Sequence, residues 1–387
     1  MARVLIYSHD SFGLGHIRRC RTIAHALAES FPKLKVLIVS GSPIIGSFDF
    51  KTRVDFVRVP SIIKLRNGDY VPLDQHSSIE QMTELRSSLI GDAAVHFAPD
   101  FVIVDKEPLG LRGELEGTLD KLKARGARLV LGLRDVMDEP DALAKEWARK
   151  RVIPALEDLY DDIWIYGLKE IYDPLQGIDL SDRIRAKMRY TGYLKRSTPA
   201  TPPAAFVDDL TKRILVTTGG GGDGEALIDW ILATYEAQGS SLPEAMMVLG
   251  PFMRAEARAA FEARAAALNL PCEVFEPRME HLMADCRAVV SMGGYNTFCE
   301  ILSFDKRALI VPRHTTRFEQ TIRAEAAERL GLSRSLPEPP EGAQGDVAVM
   351  AKALRSLPSQ PLPSASPISN LLSGLENVVA WSKPWLT

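Results

Sequence analysis

The chain has no surplus of charge of either sign. Its 387 residues hold 47 Lys and Arg against 50 Asp and Glu, a formal net charge of -3. A dedicated nucleic-acid binder carries a strong basic excess, so no nucleic-acid partner is expected. Cysteine is sparse: Cys20, Cys272, Cys286 and Cys299 are scattered, with no CxxC pair, which excludes a disulfide framework and points to a reducing cytoplasm. No stretch reaches the roughly 18 apolar residues that span a bilayer. The opening residues Met1–Tyr7 run straight into a strand pattern rather than a leader-like apolar segment. A cytoplasmic protein is expected, without a transmembrane segment and at most peripheral to a membrane. Asp-x-Asp motifs are absent, as are His/Cys/Asp groupings at metal-ligand spacing, so no metal and no resident cofactor is expected.

What is present is the material of an α/β protein. Apolar residues make up 46% and charged residues 25%, an ordinary globular balance over a length suited to two domains. Apolar runs at Arg3–Ser8, Lys35–Ser40, Val54–Val59, Phe101–Asp105, Arg128–Leu133 and Asp162–Tyr166 alternate with helical patterns, the first from about Ile17 to Ser30. Near-continuous apolar strands separated by helices indicate a parallel sheet covered on both faces. The segment KRSTPATPPAA breaks the rhythm, and the alternation restarts at Arg213–Thr217, Ala245–Leu249, Cys272–Phe275, Ala288–Ser291 and Ala308–Val311. This predicts two doubly wound, Rossmann-like domains facing each other across a cleft: residues 1–194, a linker at 195–210, and residues 211–366. An amphipathic tail at 367–387 is expected to pack back on the first domain.

Candidate site residues follow the strands, where open α/β sheets bind ligands. After the first strand comes Gly13-Leu14-Gly15-His16. The two glycines allow close backbone approach to a ligand at the helix start. It is not a dinucleotide fingerprint: Arg18 stands at the third glycine position, and the second strand ends Val39-Ser40-Gly41 without the acidic ribose ligand. His16 either takes a proton from a hydroxyl or water, or simply bonds the loop; His9 is a weaker candidate. Asp135 or Asp105, each after a strand, either orients His16 or caps the next helix.

In the second half, Gly219, Gly220, Gly221 and Gly222 follow a strand and offer amides to an anion. Ser291, Gly293, Gly294, Asn296 and Thr297 form a second strand–turn–helix suited to a diphosphate without a metal. Glu300 stands about a turn further on, placed for ribose hydroxyls or else a solvated helix residue. Arg313 and Arg317 are either phosphate partners or surface charge.

The strings SMGGYNTFCE and ALIVPRHTTRFEQ resemble the C-terminal domain of MurG-type bacterial N-acetylglucosaminyltransferases, and the whole chain resembles a bacterial branch of predicted glycosyltransferases. The resemblance implies a GT-B fold, a nucleoside-diphosphate sugar donor, UDP-linked, and transfer to an acceptor hydroxyl; the acceptor is left open, a glycan or a lipid-linked molecule being candidates. It implies that Glu300 holds the donor ribose, that Gly293, Gly294 and Thr297 surround the diphosphate with the Gly219–Gly222 loop, and that Glu319 and Gln320 contact the sugar. The backbone around Phe275 and Glu276 would edge the nucleobase, and His16 would be the general base. The family's paired glutamines appear here as Glu319-Gln320. The loop GLGHIRRC is closer to a nucleotide-sugar hydrolase of pseudaminic acid biosynthesis, so hydrolysis, epimerisation and non-catalytic binding stand as alternatives. The acceptor is expected at first-domain loops, among them Ser61–Asp74, read as a mobile loop.

Overall fold

The computed structural model describes residues 1–9, 14–64, 70–73, 77–203, 209–313, 317–340 and 342–387. The chain forms two compact units, Met1–Leu194 together with Asn370–Thr387, and Lys195–Ser369.

The first unit is built on strands β1 (Arg3–Ser8), β2 (Lys35–Ser40), β3 (Val54–Arg58), a separate antiparallel pair β4 (Ile62–Lys64) and β5 (Tyr70–Pro72), then β6 (Phe101–Asp105), β7 (Arg128–Arg134), β8 (Asp162–Tyr166) and β9 (Met188–Tyr190). All but the β4–β5 pair make one parallel sheet in the order β3-β2-β1-β6-β7-β8-β9. Its central strands are buried on both faces: Val4, Ile6, Ile103, Leu129, Leu131 and Ile163 are each 0% exposed, as expected of strands roofed by helices on either side. The region expected as a mobile loop at Ser61–Asp74 contains the β4–β5 pair, with Ile62 opposite Pro72; residues 65–69 and 74 lie outside the described residues. After that pair, the helix Ile79–Phe97 begins with a reciprocal cap, Ser78 accepting from the Gln81 amide and Gln81 from the Ser78 amide.

The second unit repeats the plan with β10 (Ile214–Thr217), β11 (Ala245–Val248), β12 (Cys272–Glu273), β13 (Ala288–Ser291), β14 (Ala308–Ile310) and β15 (Arg334–Ser335), parallel in the order β12-β11-β10-β13-β14-β15. The stretch expected as a linker is not a free connector at its start. Arg196 is only 5% exposed, and its backbone amide donates to Ser303 Oγ at 2.8 Å.

Both sheets reverse direction of winding once. In the first, the chain lays down β1, β2 and β3 on one side, then crosses back to place β6 on the other side of β1. In the second, β10, β11 and β12 are followed by β13 on the far side of β10. Loops on either side of such a reversal diverge and leave a crevice at the carboxyl ends of the strands, where ligands of this architecture sit. The switch points are therefore β1/β6 and β10/β13.

Candidate active site

At the β1/β6 switch point the helix Gly15–Ser30 brings His16 and Arg19, one turn apart, onto the carboxylate that ends β6. His16 Nδ1 bonds Asp105 Oδ2. Arg19, 1% exposed, forks onto the same carboxylate, Nε to Oδ1 at 2.7 Å and a terminal nitrogen to Oδ2 at 2.7 Å. For Asp105, also 1% exposed, burial would raise the pKa, but Arg19 and His16 hold it below the usual carboxylate range. An ionised Asp105 can only accept, so Nδ1 carries the imidazole proton and Nε2 keeps its lone pair. Nε2 makes no hydrogen bond among the described residues. Burial pushes the His16 imidazole down to about 4 against the pull of Asp105, so the ring is neutral at physiological pH and its free nitrogen is a base.

His9, just past β1 and 3% exposed, lies edge-on to the His16 ring with centroids 5.6 Å apart. Burial holds its pKa well below the ordinary value. Behind it, Tyr7 Oη donates to Glu114 at 2.6 Å, and Arg86 forks onto Glu114 at 2.6 and 2.7 Å. Beside it, Glu107 accepts from Lys150 at 2.7 Å.

Asp135, the alternative to Asp105 as a partner for His16, does not serve it. Its carboxylate accepts from Tyr193 Oη at 3.0 Å and from the Val136 amide at 2.8 Å. The reason is strand order: β6 lies next to β1, whereas β7, which precedes Asp135, is one strand further out.

The β10/β13 switch point gathers the glycine turns. Thr217 at the end of β10 pairs in register with Ser291 at the end of β13, so the Gly219–Gly222 loop and the Gly293-Gly294 turn leave the sheet side by side. The Gly219 amide turns back to Thr217 Oγ1 at 3.2 Å; the amides of Gly220, Gly221 and Gly222 donate no hydrogen bond among the described residues. Gly220 O accepts from the Phe252 amide at 2.9 Å, and the Gly250 amide donates to Val274 O at 2.8 Å. This chain of bonds carries the edge across β11 to Phe275 and Glu276. Glu276 is 1% exposed and accepts from the Arg278 amide at 2.8 Å.

Past β13, Ser291 Oγ accepts from the Gly293 amide at 3.3 Å. Gly293 has φ +73, and a Cβ there would stand 2.6 Å from Ile310 Cγ2, so both the backbone and the packing demand glycine. The helix Tyr295–Ser303 then starts with Gly294 as its cap residue and no side chain capping its amides. A helix end of this kind offers donors and a positive dipole to an anion. Thr297 is 7% and Glu300 1% exposed, so Glu300 is not the solvated residue its spacing also allowed.

Two buried arginines hold this turn. Arg323, 0% exposed, donates to Gly293 O at 2.9 Å and lies over the Tyr295 ring; Arg196 donates to Asn296 Oδ1 at 2.7 Å. Past β14, Arg313 is ion-paired with Asp223 of the glycine loop and, at 2.5 Å, with Glu319. Gln320 Oε1 accepts from the Arg313 amide at 3.1 Å. Arg313 thus fastens the helix Glu319–Arg329 to the glycine loop, where it was expected to meet phosphate or solvent.

Three solved structures share this architecture over nearly their whole lengths. The calicheamicin glycosyltransferase superposes with a TM-score of 0.59 at 15% identity, covering 100% of this chain and 98% of its own. The kitacinnamycin glycosyltransferase gives 0.62 at 12%, covering 99% and 95%, and MurG of Acinetobacter baumannii gives 0.58 at 11%, covering 99% and 100%. The chain has the GT-B fold. No protein-family model and no curated protein matches the sequence.

Within this GT-B chain the residues singled out from sequence fall at the carboxyl edges of the two sheets. Gly13 lies outside the described residues, as do His314, Thr315 and Thr316. Arg19, Arg196 and Arg323 were missed. Arg19 carried a signal, standing one helical turn after His16. Arg196 and Arg323 carried none, being 100 and 30 residues from the groups they hold. No helix among the described residues is long and apolar enough to cross a membrane.

Proposed function

We propose that the chain is a glycosyltransferase that moves a sugar from a UDP-linked donor to an acceptor hydroxyl without a metal. The observation that carries this reading is the coincidence of chemistry with topology. An imidazole–carboxylate pair occupies one switch point, and two glycine turns with open amides occupy the other. The glycosyltransferases among the solved neighbours support the same class.

The uncapped start of the helix Tyr295–Ser303 and the amides of Gly220–Gly222 receive the diphosphate, Glu300 the ribose hydroxyls, and Glu319 with Gln320 the sugar. The acceptor oxygen attacks the anomeric carbon as the bond from that carbon to the diphosphate breaks. The acceptor's proton passes to His16 Nε2, and Asp105 balances the imidazolium that forms. Charge on the departing diphosphate is met by backbone amides and the helix dipole. The sequence supplies no Asp-x-Asp for a metal to do this work.

The test is a panel of UDP-sugars, with and without soluble glycans as acceptors, read by chromatography of the products. Acceptor-dependent release of UDP is expected, unchanged by a chelator. His16→Ala should lower turnover by about 10²–10⁴-fold and leave UDP affinity by calorimetry intact; Glu300→Ala should weaken UDP binding. Wild-type turnover by His16→Ala would remove the assigned base. Free sugar without acceptor would mark a hydrolase, and a changed nucleotide-sugar an epimerase.

A further inference from the structure

Tyr166 ends β8, is 0% exposed, and its hydroxyl has no hydrogen-bond partner among the described residues. Leaving a buried hydroxyl unsatisfied costs about 1–3 kcal/mol, and such groups in a native fold call for an explanation. The location supplies one. Strand β7 lies between β8 and β6, and its residue in register with Asp105 is Gly132. Register partners on parallel strands point to the same face, so a side chain at 132 would stand beside the Asp105 carboxylate. The Tyr166 hydroxyl fills that place, since a Cβ built on Gly132 would lie 2.2 Å from it. The phenol therefore reaches across β7 toward the Asp105 carboxylate.

Asp105 has capacity to spare there. Among the described residues its Oδ2 accepts from His16 and Arg19, whereas Oδ1 accepts from Arg19 Nε alone. A carboxylate oxygen takes two donors. Burial first, and then Asp105, raises the Tyr166 pKa well above the ordinary phenol value, so the group remains an O–H donor throughout the working range. The other charged or titratable groups acting on it are Cys20 and Arg19. Around His16 stand Asp105 and Lys106 at and past the end of β6, Arg19 on its own helix, and His9 past β1.

We infer that Tyr166 is a positioning residue that sets the basicity of His16 through Asp105: its O–H dipole shares the carboxylate's charge and limits how strongly that carboxylate draws a proton onto the imidazole. The inference rests on His16 being the base, but its test does not need turnover. The probe is the proton itself. The His16 ring is titrated by NMR in the full, ligand-free chain, its signal identified among the seven histidines by its loss in His16→Gln.

In Tyr166→Phe the His16 midpoint should rise by about half a pH unit. The melting temperature should stay close to wild type, because phenylalanine fills the same space. The acid limb of the turnover profile should move up with it. An unchanged His16 titration in Tyr166→Phe overturns the inference, whatever the melting temperature does. If instead His16→Ala retained full turnover, the base assignment would fall while the titration result stood.

Discussion

A neutral imidazole can take a proton and a charged one cannot, and at His16 the choice is made by burial acting against Asp105. The same displacement couples the protein's stability to pH. The His16 pKa, about 4 in the fold, lies below the 6.5 of an unperturbed histidine; that of His9 is lowered too. Between these values the unfolded chain binds more protons than the native one, so stability rises with pH. The His16 contribution is complete above about 6.5 and is lost as pH falls toward 4. It is on the order of 3 kcal/mol. Urea denaturation from pH 7 down to 4 should therefore show a falling midpoint, and His16→Gln should fall less steeply than wild type. Parallel slopes for the two proteins would mean that His16 is not held neutral by the fold. The partner that tunes it was open from sequence. Asp105 ends one strand and Asp135 follows another, and only the position of β6 beside β1 selects between them.

At the scale of elements, the long central strands were legible because burial on both faces demands continuous β-branched and apolar residues. RVLIYS, KVLIVS, FVIVD and AVVS read as strands and are strands. The short edge strands Met188–Tyr190 and Arg334–Ser335, and the pair Ile62–Lys64 with Tyr70–Pro72, were not. They are two or three residues long, too short for any period to show. The glycine turns were legible as turns, but the difference between adjacent glycines was not. Gly293 is fixed by positive φ and by Ile310, whereas the space around Gly294 is open. Two substitutions that look alike in sequence should then behave differently. Gly293→Ala should destabilise the second unit by about 1–3 kcal/mol. Gly294→Ala should cost about 1 kcal/mol or less and still weaken UDP binding, because its methyl enters the space before the helix amides. Calorimetry with UDP and thermal melts separate the two effects; full UDP affinity in Gly294→Ala would count against a diphosphate at that turn.

At the scale of the molecule, the chain leaves the first unit at Leu194 and returns to it at Asn370. The return is well anchored: Tyr193 and Leu371 share a backbone bond of 2.8 Å, and Leu194 bridges Ser373. The closing helix Gly374–Leu386 sets Trp381 6.0 Å from Trp164, whose indole is 1% exposed, while Arg189 and Arg128 lie over the Trp381 and Trp385 rings. Phe101 of β6 also packs against Trp164, 5.9 Å between rings. The helix thus lies over the face of the sheet that carries Asp105, Gly132 and Tyr166. Truncation after Ser369 removes that cover from a strand set buried on both faces, and an uncovered parallel sheet is not a stable arrangement. Hydrogen exchange on the truncated chain should show lost protection in β6, β7 and β8 and retained protection in β10 and β13. Trp381→Ala, which keeps the helix but empties one contact of a partly buried ring, should give the same pattern at a cost of about 2 kcal/mol. Equal loss across both sheets, or none, would mean that the terminal helix does not support the first sheet in particular.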